Sequence, residues 1–142
     1  GTEFTTQMVD MPMTKISQWI YNHMDFDKIV EIRRRNYSYI VEALVDKQQF
    51  GFIHPILCEG ICPWVLPIIV HGVNNAHFQL RALGVPAATW DGVKPENINL
   101  DEYPDAEYLY KKLIFLPIHQ SLNNHNLNFI IDKIMKLGFS GS

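Results

Sequence analysis

A chain of 142 residues, 47% apolar and 19% charged, fits one globular domain with a hydrophobic interior of its own. The net charge of -3 is small and has the wrong sign for a phosphate backbone or an acidic lipid surface, which excludes nucleic acid and membrane as partners. Two cysteines, Cys58 and Cys62, are too few for a disulfide framework, and their C-x-x-x-C spacing is not the C-x-x-C of a zinc knuckle or redox pair.

Gly1-Thr2-Glu3-Phe4 reads as a vector-derived tag and Gly141-Ser142 as a candidate for another, leaving 5–140 as a single domain. No basic start is followed by an apolar run, and the longest apolar stretch, Pro63 to Val70, is too short to cross a bilayer. The expected setting is cytoplasmic. Ile16, Trp19, Ile20 and His23 recur at helical spacing, and Asp25 then caps a second, longer helix. Its apolar face is predicted to hold Ile29, Ile32, Asn36, Tyr39, Ile40, Ala43 and Leu44.

From 46 to 62 no period holds, and Gly51, Pro55 and Gly60 mark an irregular segment. Trp64 to Val70 reads as a strand apolar on both faces. Pro67 cannot donate to a ladder, which predicts an edge position or a bulge. Asn74 or Asn75 opens a short helix carrying His77, Phe78, Leu80, Arg81 and Leu83, stopped by Gly84. Val85 to Trp90 is a candidate second strand, and Asp91 to Asp101 a polar surface loop.

Pro104 suits the first turn of a helix through Ala106, Leu109, Tyr110 and Leu113, and Ile114-Phe115-Leu116 forms a short strand. Asn123 or Asn124 caps the last helix, with Leu127, Ile130, Ile131, Ile134, Met135 and Leu137 inward and Gly138 at its end. The fold class expected is α/β, an α+β sandwich: a small sheet of about three strands covered by helices and preceded by a long amphipathic helix.

Three segments in this order carry a resemblance. They are Ile32-Arg33-Arg34-Arg35-Asn36-Tyr37, Leu80-Arg81-Ala82-Leu83-Gly84-Val85-Pro86, and Leu116-Pro117-Ile118-His119-Gln120-Ser121-Leu122. Together, over roughly 16–138, they resemble the C-terminal small domain of DegT/StrS-type aminotransferases, a fold-type I group dependent on pyridoxal phosphate (PLP). The resemblance implies a parent that moves an amino group from a donor such as glutamate to a keto substrate, often a nucleotide-linked keto-sugar. It also implies a homodimeric parent whose N-terminal domain holds PLP and its Schiff-base lysine. That domain is the expected partner. Lys28, Lys47, Lys94, Lys111 and Lys112 follow no Schiff-base pattern, so no catalytic or cofactor-binding residue is expected in this chain, which should be inert alone.

Candidate substrate contacts in the parent are His119, Arg81 and Trp90, each with two readings. His119 either donates to substrate or fixes its own turn. Arg81 either grips a carboxylate or solvates a helix end. Trp90 either lines the active-site entrance or covers the core edge. Arg33 is expected to meet an acid of the absent domain, and Arg34 and Arg35 to face solvent. His54, Cys58, Cys62 and His71 lack metal-site spacings, and buried thiols explain the cysteines more economically. Trp19, Tyr21 and Phe26, in the stretch that would join two domains, predict an exposed apolar patch and self-association. The rival readings are a free-standing α/β ligand-binding or regulatory module and a protein-interaction domain. The latter requires an uncovered stripe from Ile29 to Leu44.

Overall fold

The computed structural model describes residues 12–90, 99 and 102–137. Helix α1 (Lys15–His23) starts at Thr14, whose Oγ accepts the Ser17 N–H at 3.2 Å. The chain turns extended at Met24, and the Asp25 carboxylate accepts the Lys28 N–H at 3.0 Å to open α2 (Phe26–Leu44). No residue of α1 is buried. In α2 the buried seam is Asn36, Tyr37, Ile40, Val41 and Leu44, whereas Tyr39 is half-buried and Ala43 exposed. The period was legible, but the seam is rotated toward Tyr37 and Val41, the positions that meet the sheet and the last helix.

Three antiparallel strands follow in the order β1-β2-β3: β1 (Phe50–Phe52), β2 (Val65–Val70) and β3 (Leu113–Pro117). Strand β1 lies within a segment expected to be irregular. It is only three residues long, and its central Gly51 erases any alternation. A Cβ at Gly51 would stand 3.1 Å from His71 Nε2, so the close approach of β1 to the end of β2 favours glycine.

Pro67 sits in the central strand, which corrects the expected edge position, yet the physical argument survives locally. Phe115, its partner on β3, exchanges both backbone hydrogen bonds with Ala88 on the other side, at 3.0 and 2.8 Å. Pro67 therefore occupies a non-hydrogen-bonded pair with β3, and its nitrogen faces the side of β1. There β1 has already stopped, its last pair being Phe52 with Ile68. The missing donor costs no ladder bond.

The expected strand Val85 to Trp90 reduces to the single bridge Ala88–Phe115. Ala87 N–H bonds Val85 C=O at 2.8 Å, so the chain turns tightly around Pro86 before it can run straight. Upstream, α3 (Ala76–Ala82) begins after Asn75, which is left-handed at φ 52 and makes no side-chain cap. It ends in a Schellman motif: Gly84, at φ 87, bonds Arg81 C=O at 3.0 Å, and Val85 N–H bonds Leu80 C=O at 2.9 Å. Leu80 and Val85, both fully buried, supply the accompanying hydrophobic contact.

Helix α4 (Pro104–Lys112) opens with Pro104 and runs directly into β3. Helix α5 (Asn124–Met135) carries a reciprocal capping box between Asn123 and Asn126. Leu127, Ile130 and Ile134 are its buried stripe, joined by Leu137 beyond its end. Leu66, Ile68 and Val70 of β2 and Ile114 and Leu116 of β3 face the core shared with α2, α3 and α5. By the two-residue period, His71 stands on the other face, where Tyr108 of α4 meets it at 2.6 Å. The result is the expected α+β sandwich, a small three-stranded antiparallel sheet with helices. Among the described residues, no helix is long and apolar enough to cross a membrane. The expected loop Asp91 to Asp101, apart from Asn99, lies outside the described residues, as do Gly138 and both suspected tags.

Candidate functional site

Helix α2 carries a row of polar side chains whose hydrogen bonds reach three separate parts of the chain. Asn36 is fully buried; its amide donates to His119 C=O at 3.0 Å and Ile118 C=O at 3.4 Å, while its Oδ1 accepts from Arg35 at 3.1 Å. One turn earlier, Arg33 Nε donates to Gln120 Oε1 at 2.8 Å. The turn after β3 is thus held from the helix by residues 33 and 36, which share a face at helical spacing. Arg33, expected to seek an acid elsewhere, has this partner within the chain.

Arg34 corrects the expectation of a solvated side chain. Its guanidinium donates to the carbonyls of Cys58 at 2.8 Å, Ile61 at 2.7 Å and Leu57 at 3.3 Å. One planar fork thereby binds three loop carbonyls, of which that of Cys58 also accepts the Ile61 N–H of its turn. Tyr37, 2% exposed, donates its hydroxyl to His54 C=O at 2.6 Å, and burial raises its pKa above the ordinary tyrosine value. The Arg-x-x-Asn-Tyr helix and the irregular 53–63 segment form one unit. Sequence reasoning singled out these residues as a motif but missed that they bind backbone.

On the outer sheet face, Trp64, Val65, Ala88, Trp90 and Phe115 line an open cavity of ≈ 370 Å³. Trp90 lies edge-on to Phe115, with ring centroids 5.1 Å apart, and is 47% exposed. Trp64 stands 80% exposed at the start of β2. The pairing of Val65 with Pro117 places the end of β3, and so the turn bearing His119, at the same end of the sheet. Trp64 has no separate signal in the sequence, where it reads as the first residue of a strand apolar on both faces; the structure places it just before β2.

The predicted site residues make separate contacts. His119 Nδ1 accepts the Ser121 N–H at 3.2 Å and lies 2.8 Å from Ser121 Oγ. Accepting at Nδ1 leaves the neutral ring's proton on Nε2, on an exposed side chain. Arg81 donates from Nε to Ala87 C=O at 2.6 Å, tying the exit of α3 to the bridge segment. Cys58 and Cys62 are both exposed, contrary to the buried thiols expected, because Arg34 holds their loop by its carbonyls and leaves its side chains outward. Among the described residues, no three His, Cys, Asp or Glu side chains are grouped to hold a metal ion.

No family model and no curated protein sequence matches the chain. Solved structures do. A DegT DnrJ EryC1 StrS aminotransferase from Brucella abortus is 25% identical, with a TM-score of 0.62 over 89% of this chain and 34% of its own. DesV from S. venezuelae, solved with a ketimine intermediate, is 18% identical, with a TM-score of 0.66 over 85% of this chain and 34% of its own. The aminotransferase TlmJ from Streptoalloteichus hindustanus is 19% identical, with a TM-score of 0.62 over 76% and 31%. The chain has the fold of a portion of these proteins and spans about a third of their length. In fold as in motif, it resembles the C-terminal small domain of DegT/StrS-type enzymes.

Proposed function

We propose that this chain is the C-terminal small domain of a cytoplasmic PLP-dependent aminotransferase that moves an amino group from a donor such as glutamate to a keto-sugar. The observation that carries the reading is the match of most of this chain to about a third of the length of solved structures that include sugar aminotransferases from Streptococcus pneumoniae and Micromonospora echinospora. The partner is an N-terminal PLP-binding domain, in a homodimeric parent. Helix α1 supports that partner: Ile16, Trp19 and Ile20 are 73%, 62% and 46% exposed, apolar surface that nothing in the described chain covers.

PLP is expected on the partner domain and not on this chain. No lysine lines the cavities at Tyr37–Pro67, Arg34–Leu57 or Trp64–Phe115, and Lys111, Lys133 and Lys136 are in ion pairs with Glu107 and Asp132. What the domain offers as a wall toward substrate is the tryptophan-flanked outer face, with His119 on the turn at the same end of the sheet and Arg81 bonded to the backbone one residue before Ala88. The interaction-domain reading loses its requirement, since Ile40 and Leu44 are fully buried within the chain.

Two measurements test the proposal. Reading the coding sequence upstream of Thr5 is expected to reveal a large PLP-lysine domain; a stop codon there refutes the reading. Incubation with PLP followed by borohydride trapping is expected to leave no stoichiometric adduct, and a single fully modified lysine overturns the division of labour.

A further inference from the structure

Cys58 and Cys62 flank a tight turn. Ile61 N–H bonds Cys58 C=O at 3.5 Å, and Gly60 takes the left-handed φ of 78 that closes the reversal. Arg34 Nη1 binds the carbonyl oxygens of both Cys58 and Ile61, at 2.8 and 2.7 Å, so those oxygens are at most 5.5 Å apart (2.8 + 2.7). Cys62 follows Ile61 directly. The turn thus brings the Cys58 carbonyl and the peptide that leads into Cys62 together, and a disulfide requires roughly 4.4 to 6.8 Å between the two Cα atoms.

Both thiols are free and exposed, and no packed core resists rotation of either side chain. The C-x-x-x-C spacing is one residue longer than that of the familiar redox pair, and the left-handed glycine takes up the extra residue. The loop also roofs a cavity of ≈ 240 Å³ over Tyr37, which Cys58 lines. A bond across it would act on the contact between α2 and the loop.

We propose that Cys58 and Cys62 are a reversible thiol pair that closes to an intraloop disulfide by exchange with a small-molecule disulfide. The Cys58 thiolate attacks one sulfur of RSSR, forming a mixed disulfide and releasing RS⁻. The Cys62 thiolate then attacks the Cys58 sulfur and expels the second RS⁻. The two thiol protons end on the two released RS⁻, so the protein is oxidised by two electrons and RSSR is reduced to two RSH. Closure locks the turn that Arg34 grips.

Oxidised glutathione is the probe, and intact-mass spectrometry of the full chain is the readout. The expected product is lighter by two hydrogens, carries no adduct, and yields a crosslinked peptide containing both cysteines. Cys58→Ser and Cys62→Ser each stop at one glutathione adduct. Wild-type protein ending with two adducts, with only intermolecular dimers, or with no reaction overturns the proposal. Amide exchange at Ile61 is expected to slow about tenfold on oxidation; an unchanged rate refutes the locking.

Discussion

Replacing Asn36 with aspartate changes almost no volume and inverts the chemistry at the centre of the α2 spine. The amide nitrogen that donates to His119 C=O at 3.0 Å and Ile118 C=O at 3.4 Å becomes an oxygen facing two carbonyl oxygens. The side chain is fully buried, so an ionised carboxylate there loses its hydration. Arg35, 3.1 Å from Oδ1, offsets part of this. An uncompensated buried charge costs about 3 to 5 kcal/mol, and with the arginine's help a loss of about 3 kcal/mol is expected for Asn36→Asp. At about 2 kcal/mol per molar urea, the unfolding midpoint falls by about 1.5 M at neutral pH.

The sign of the pH dependence adds a second handle. Burial against carbonyls raises the introduced carboxyl's folded pKa above its unfolded value of about 3.9, so the folded state binds the extra proton first. Stability relative to wild type is lowest above the folded pKa and recovers as pH falls toward the unfolded one, because the protonated acid can donate again. Urea titrations of Asn36→Asp and Asn36→Ala between about pH 4 and 8 measure both effects. A midpoint for Asn36→Asp equal to wild type, with no recovery in acid, refutes the claim that this amide holds the turn after β3.

Burial raises the Tyr37 pKa above the ordinary tyrosine value of about 10, so its contribution is present below about pH 10 and disappears as pH rises through the folded value. Thermal melts from pH about 9 to about 12 should show Tyr37→Phe less stable by about 1 kcal/mol at the lower end, with a shallower alkaline decline than wild type. Arg34→Lys keeps the charge but not the fork, and is expected to free the 57–61 loop, read as faster proteolytic cleavage there with a stability loss of about 1 to 2 kcal/mol. Equal cleavage rates would show that the carbonyl contacts do not restrain the loop. The uncovered face of α1 should drive self-association, so Trp19→Ser with Ile20→Ser is expected to lower both the light-scattering mass and the binding of an apolar-surface dye. A wild-type chain that is monomeric and binds no dye contradicts this.

The short side-chain periods were legible because they are local. Asp25 and Asn123 announced their helices by capping chemistry, Gly84 its stop by tolerance of positive φ, and Pro104 its helix by needing no donor. The order of three modest motifs sufficed to suggest the family, and the matched structures agree with it in fold. The candidate contacts His119, Arg81 and Trp90 were nameable as residue types, but their bonds to Ser121, Ala87 and Phe115 depend on turns that residue type does not specify.

By itself, then, the sequence determined where helices begin and end, which stretches are apolar enough to pack, and the kind of domain they build. Only the tertiary structure decided that Pro67 lies in a central strand, that three residues around Gly51 complete the sheet, and that Cys58 and Cys62 face outward. It alone showed that Arg33, Arg34, Asn36 and Tyr37 bind backbone or side-chain oxygens 17 to 87 residues away. The reason is physical: a cap or a period depends on neighbours within a turn or two, whereas an unpaired carbonyl can be satisfied by any donor the fold brings near.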